Sequence, residues 1–191
     1  MKIVLASTSP YRKQLLERFQ LPFEIVRPET DESPHPGEPP ATLAERLAID
    51  KAQAIAGTLT DALVIGSDQV AYMGSEIFGK PGTIERAIAQ LRRMSGREVI
   101  FHTAVALINA SSKRVQCEGV ATRVRFRTLS DDEITRYVAA ELPLDCAGSA
   151  KSEGLGISLL DALTGDDPTA LIGLPLIALA RMLRAEGIQL P

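Results

Sequence analysis

Lys2-Ile3-Val4-Leu5-Ala6-Ser7-Thr8-Ser9-Pro10-Tyr11-Arg12-Lys13 is the stretch from which the fold is read. Ile3 to Ala6 is the apolar run of a strand buried on both faces. Three hydroxyl residues end it. Pro10 then stands where proline costs a helix nothing, because the N–H groups of a first turn have no partner within the helix. Leu15, Leu16 and Phe19 continue at helical spacing. The reading is strand, short hydroxyl-rich turn, helix, with Ser9 as the N-cap. The free amides and partial positive charge of that helix start suit an anion such as a phosphate chain, and Arg12 and Lys13 add two cations. The turn has neither the Gly-Lys-Ser/Thr of a Walker loop nor a Gly-x-Gly-x-x-Gly dinucleotide fingerprint.

Composition narrows the classes. The chain has 191 residues, 45% hydrophobic and 24% charged, with a formal net charge of −3. That suits one soluble α/β domain over residues 1–191. The acidic balance speaks against a general nucleic-acid surface. No apolar run approaches the ~20 residues of a membrane span, and no signal segment precedes the first strand, so a cytoplasmic location is expected. Cys117 and Cys146 read as reduced, buried thiols, and His35 and His102 match no zinc spacing.

Further along, Phe23 to Val26 is a second strand. A Pro- and Gly-rich loop from Pro28 to Pro40 carries the acidic pair Asp31-Glu32. Thr42 and Glu45 form a capping box for a helix with Leu43, Leu47 and Ile55 on its apolar face and Lys51 at its flank. Ala62 to Gly66 reads as a central strand delivering Ser67-Asp68-Gln69-Val70 at its end. A carboxylate there is costly without a partner. Gly79-Lys80-Pro81 is a tight turn, after which Thr83 caps a helix. Glu98 to Ile108 and Val115 to Phe126 form a long hairpin, with Arg123, Arg125 and Arg127 on its solvated side. Ser130 and Glu133 box another helix. Ile157 to Leu160 is a short strand. A closing helix buries Leu176, Ile177, Leu179, Ala180 and Leu183.

The polar sites together supply cations for phosphates and carboxylates for a divalent metal, the parts that phosphoanhydride hydrolysis needs. No Cys–His or Ser–His arrangement suggests a covalent nucleophile.

Ala6-Ser7-Thr8-Ser9-Pro10-x-Arg12, Asp31-Glu32, Lys51-Ala52, Gly66-Ser67-Asp68-Gln69-Val70, Gly79-Lys80-Pro81, Cys146-Ala147-Gly148 and Gly173-Leu174-Pro175 occur in the order seen in the Maf family, which the whole chain resembles. The resemblance implies an α/β fold related to inosine triphosphatases. It has an elongated mixed β-sheet flanked by helices and two lobes around a cleft, and is commonly a homodimer. It implies a metal-dependent nucleoside triphosphate pyrophosphatase with Mg²⁺, Mn²⁺ or Co²⁺ as cofactor. Asp68 is then the proton acceptor, and Glu32 and Asp68 are the metal ligands. Ser7, Ser9, Arg12, Lys51 and Lys80 are the phosphate-binding residues. Asp68-Gln69, Tyr11 and the run from Ser149 to Gly154 resemble the branch that prefers 7-methyl-GTP. A methylated guanine ring is cationic, so Tyr11 would stack on it, Gln69 would read an edge and Glu153 would meet its donors. The alternatives are a pyrophosphatase for dTTP and UTP, whose branch carries Asp-Thr at this point, and a nucleotide-sensing regulator of cell division or septum formation.

Overall fold

A computed structural model describes residues 1–191. One seven-stranded sheet runs through it in the order β2-β1-β3-β5-β6-β7, with β4 also paired to β3. The strands are β1 (Lys2–Ala6), β2 (Phe23–Val26), β3 (Ala62–Met73), β4 (Glu76–Phe78), β5 (Glu98–Asn109), β6 (Val115–Phe126) and β7 (Leu160–Thr164). The helices are α1 (Pro10–Glu17), α2 (Pro40–Ala56), α3 (Ile84–Met94), α4 (Asp131–Glu141) and α5 (Leu176–Ala185). The sheet is mixed: β1 runs parallel to β2 and β3, and the other pairs are antiparallel.

Strand alternation divides the core. Val4, Ala6, Val64 and Ala106 face α2, whereas Ile3, Leu5, Leu63, Ile65 and Leu107 face α1 and α5. Farther along the hairpin, Phe101, Val124 and Phe126 pack with α3 and α4. Gly66 permits the closest approach: a Cβ there would lie 2.1 Å from Ala48 O and 2.8 Å from Ala52 N of α2. The sheet therefore holds α2 against β3 at the one residue without a side chain.

Pairing also leaves an opening. β5 covers one edge of β3 from Leu63 to Tyr72. On the other edge β1 pairs only as far as Ile65, and β4 begins at Ala71. Residues 66–70 between them have no strand on that side.

The caps at Ser9, Thr83 and Ser130 form as the sequence predicts, the last with its reciprocal bond to Glu133. Four expectations are corrected. Helix α2 starts at Pro40 without a side-chain cap rather than at a Thr42 box, because Pro39 and Pro40 already hold backbone angles suited to a helix start. The polar triplet lies inside a continuous twelve-residue strand, not at its end. Residues Leu155–Leu159 form a 3-10 turn, and the strand follows at Leu160. In α5 the buried set is Leu176, Ala178, Leu179, Met182 and Leu183, while Ile177 is 48% exposed.

Candidate active site

A cleft of about 1010 Å³ opens at the uncovered edge of β3. It is walled by the turn after β1, the start of α1, the loop after β2, and residues 79–80 and 145–147. Alternation along β3 sorts its polar side chains. Asp68, in phase with Val64 and Gly66, points toward α2. Ser67 and Gln69 point to the opposite face.

On the α2 side, Lys51 follows Leu47 by one helical turn and is buried. Its Nζ donates to Asp68 Oδ1 at 2.6 Å and lies 2.7 Å from Glu32 Oε1. A lysine expected at a solvent-facing flank is thus buried at the centre of the charge cluster, in contact with two carboxylates. Glu32 arrives on the loop after β2. That loop is tied to α2 by Arg46, which donates to both Glu38 oxygens and to Ser33 O. Burial alone would raise the Glu32 carboxyl, but Lys51, Lys80 and Arg12 hold it below its ordinary value.

On the opposite side, Ser7 Oγ accepts from the Ser9 amide, and Ser9 Oγ accepts from the Arg12 amide. Arg12 Nε donates to Gly173 O at 2.9 Å, and its Nη1 lies 3.4 Å from Ser7 Oγ. Burial lowers the Arg12 guanidinium from its ordinary value, against the pull of Asp68 and Glu32. Ser67 Oγ lies 2.9 Å from the same Gly173 O. Gln69 Nε2 lies 2.9 Å from Thr103 Oγ1, 3.1 Å from Ala170 O and 2.9 Å from Leu171 O. The amide group expected to read a base edge is occupied in fastening residues 170–173, since carbonyl oxygens can only accept.

Lys80 is exposed on the cleft wall, and so within reach of a ligand. Tyr11 lines the cleft, with its hydroxyl 3.5 Å from Asp145 Oδ2. Glu153 does not line it. The exposed Glu153 carboxylate is met only by Ser152 Oγ at 3.5 Å. Sequence reasoning missed Asp145, and it quoted Gly173 in the Gly173-Leu174-Pro175 motif without the role of its carbonyl as the acceptor for Arg12.

Two carboxylates on one buried cation make a hard oxygen pair. Both carboxylates meet the same ammonium, so negative charge converges at one point of the cleft. No group of three or more His, Cys, Asp or Glu is placed to hold a metal. The donor set therefore fits a Mg²⁺-type ion whose coordination is completed by substrate phosphates and water. Cys146 lines the cleft, where burial pushes its thiol up to about 12, and Cys117 is exposed rather than buried as expected. Arg123 and Arg127 pair with Glu98 and Glu133 on the outer face. No helix is long and apolar enough to cross a membrane.

Known proteins match over nearly the whole length. The 7-methyl-GTP pyrophosphatase of Aromatoleum aromaticum is 69% identical over 190 residues, covering 100% of this chain and 98% of that protein. The 7-methyl-GTP pyrophosphatase of a Polaromonas species is 57% identical, covering 98% and 86%. Among solved structures, the Staphylococcus aureus Ham1 protein superposes with a TM-score of 0.57 at 15% identity, covering 97% of this chain and 100% of that one, a likeness of fold. The family model for Maf-like proteins matches residues 2–186, and the chain belongs to the Maf family.

Proposed function

We propose that this chain hydrolyses 7-methyl-GTP to 7-methyl-GMP and pyrophosphate with the help of a divalent cation. The observation that carries the reading is the Lys51 ammonium held between Asp68 and Glu32 at the uncovered edge of β3. It joins a carboxylate suited to activate water, an oxygen ligand pair and a counter-charge at one point. The names of the two relatives support the choice of nucleotide.

The chemistry is assigned as follows. Arg12 uses two of its donors on Gly173 O and Ser7 Oγ, which leaves the rest of its fork for phosphate oxygens. Lys80 and the start of α1, with Ser7 and Ser9, complete the phosphate cradle. Glu32 and Asp68 would hold the divalent cation, which supplies charge neutralisation at the phosphate oxygens. Lys51, beside those carboxylates, would add positive charge for the same oxygens. Asp68 takes a proton from water as the water oxygen bonds to phosphorus. The anhydride bond between the α and β phosphates breaks, and its electron pair leaves on the bridging oxygen with pyrophosphate. Gln69 acts through the 170–173 loop, which fixes Arg12. A homodimer in the cytoplasm belongs to the same proposal on the strength of the family resemblance alone.

The test is pyrophosphate release from 7-methyl-GTP, GTP, dTTP and UTP with Mg²⁺, Mn²⁺ or Co²⁺, on wild type and Asp68→Asn. Loss of the proton acceptor should cost about 100-fold or more in kcat. Full turnover by Asp68→Asn, or a preference for dTTP and UTP, would overturn the reading.

A further inference from the structure

Four carboxylates line the cleft: Glu29, Glu32, Asp68 and Asp145. Asp68 and Glu32 are accounted for by Lys51. Glu29 is exposed on the loop after β2. Asp145 is different, because it is built into place. Its Oδ2 meets the Tyr11 hydroxyl at 3.5 Å, and its Oδ1 lies 3.6 Å from Lys151 Nζ. Lys151 itself is held from behind. Its side chain is only 14% exposed, its Nζ donates to Glu141 O at 3.3 Å, and its amide donates to the Tyr137 hydroxyl at 3.0 Å. The same ammonium lies 6.0 Å from the centre of the Tyr11 ring.

A carboxylate in a cleft meant for a triphosphate needs a reason, since it repels phosphate oxygens. The cations Arg12, Lys51 and Lys80 set the phosphate end. At Asp145 the part of a nucleotide that gains from a negative charge is a positively charged base. Tyr11 and Asp145 together offer such a base a flat ring and a fixed anion. Lys151 does not line the cleft, so it orients the carboxylate without filling the space in front of it. The Asp145 side chain remains 59% exposed, and each oxygen keeps a free lone pair.

We infer that Asp145, held by Tyr11 and Lys151, determines specificity for a nucleotide whose purine ring carries a positive charge. The inference rests on the proposed 7-methyl-GTP activity and adds the residue that separates 7-methyl-GTP from GTP, a place the sequence assigned to Glu153. The N–H donors of guanine can meet the carboxylate with or without methylation, and only the methylated ring adds a partly exposed ion pair to them.

Asp145→Asn keeps the size and one acceptor, removes the charge and turns the second oxygen into an NH2 donor, so the neutral nucleotide is measured beside the cationic one. Two measurements test it: kcat/KM for pyrophosphate release from 7-methyl-GTP and from GTP, and calorimetric binding of 7-methyl-GMP and GMP, which needs no turnover. The ratio of 7-methyl-GTP to GTP should fall about fivefold, the worth of a partly solvated ion pair, mostly through KM. The preference for 7-methyl-GMP over GMP in binding should fall by a similar factor. If wild type prefers 7-methyl-GTP and Asp145→Asn keeps that preference in both measurements, the assignment of Asp145 is wrong and the proposed activity stands. If wild type releases no pyrophosphate from 7-methyl-GTP, the proposed activity falls, and the role of Asp145 falls with it.

Discussion

Replacing Lys51 by methionine removes the charge at the centre of the cleft and keeps the length of the side chain. The Lys51 and Asp68 side chains are 8% and 12% exposed, and their contact is 2.6 Å. Removing one member of a buried pair typically costs ~3–5 kcal/mol, because the other charge stays behind without compensation. Glu32 is 55% exposed, so water replaces its partner and its share is at most ~1 kcal/mol. Asp68 also borders an open cleft, which puts the expected loss at the low end, about 3 kcal/mol. For a chain of this length that is a fall in Tm of about 6–12 °C. Asp68→Asn alone should cost less, since Lys51 keeps Glu32. The double variant Lys51→Met/Asp68→Asn holds neither buried charge, so the costs should fail to add by about 2 kcal/mol. The assay is urea and thermal unfolding near neutral pH, without and then with Mg²⁺. A divalent cation at a hundred times its Kd stabilises by about 2.7 kcal/mol, and Lys51→Met should recover more from it than wild type, where Lys51 must first give way. Additive single costs, or a Lys51→Met protein melting within about 2 °C of wild type, would refute the reasoning.

Gly66→Ala should be among the most damaging single-methyl changes, since its Cβ would press on the backbone of α2 at 2.1 Å from Ala48 O. A loss of about 3 kcal/mol is expected in unfolding experiments, and pyrophosphate release should fall with it because α2 carries Lys51; wild-type stability would disprove the close packing. Acidification should free the loop that carries Glu32. Arg46 and the His35 amide pull the Glu38 carboxyl down to about 2 from 4.5, so its anchoring is complete above about 4.5 and is lost as pH falls toward 2. Amide exchange of residues 30–38 should rise across that window, and Glu38→Gln should flatten the change.

Local signals in the sequence were the ones that survived folding. Ser9, Thr83 and Ser130 cap their helices because each bond spans only three residues and needs nothing from the rest of the chain. The hairpin of β5 and β6 was legible from alternation, with Thr122, Val124 and Phe126 buried between exposed Arg123 and Arg125. Thr42 misled because two prolines before it start the helix by a different route. Ile177 misled because its neighbours on either side, Leu176 and Ala178, define the buried face, and a helix cannot turn three successive residues inward. Non-local features carried no mark. The acceptor that fixes Arg12 is the backbone carbonyl of Gly173, which any residue could supply chemically. Asp145 meets Tyr11 across 134 positions of chain. Lys51 was half legible: a lysine one turn after Leu47 on an otherwise apolar face asks for a buried anion, but only the register of β3 supplies Asp68.

That register explains why the catalytic cluster sits on a strand. Ser67, Asp68 and Gln69 are consecutive, yet a period of two sends them to opposite faces. Asp68 is committed to Lys51 and Glu32, and Ser67 and Gln69 to the loop that holds Arg12. A loop could present the same residues, but it could not keep a proton acceptor and a phosphate clamp in fixed relation across the sheet. The missing strand neighbour at residues 66–70 is what makes this usable. It lets a phosphate chain approach β3 edge-on and meet side chains from both faces at once. Extending β1 past Ala6 would cover that edge and unmake the Ser7 to Arg12 turn at the same time. The length of β1, ending at Ala6 before the Ser7 turn, is therefore as much a functional feature as Asp68.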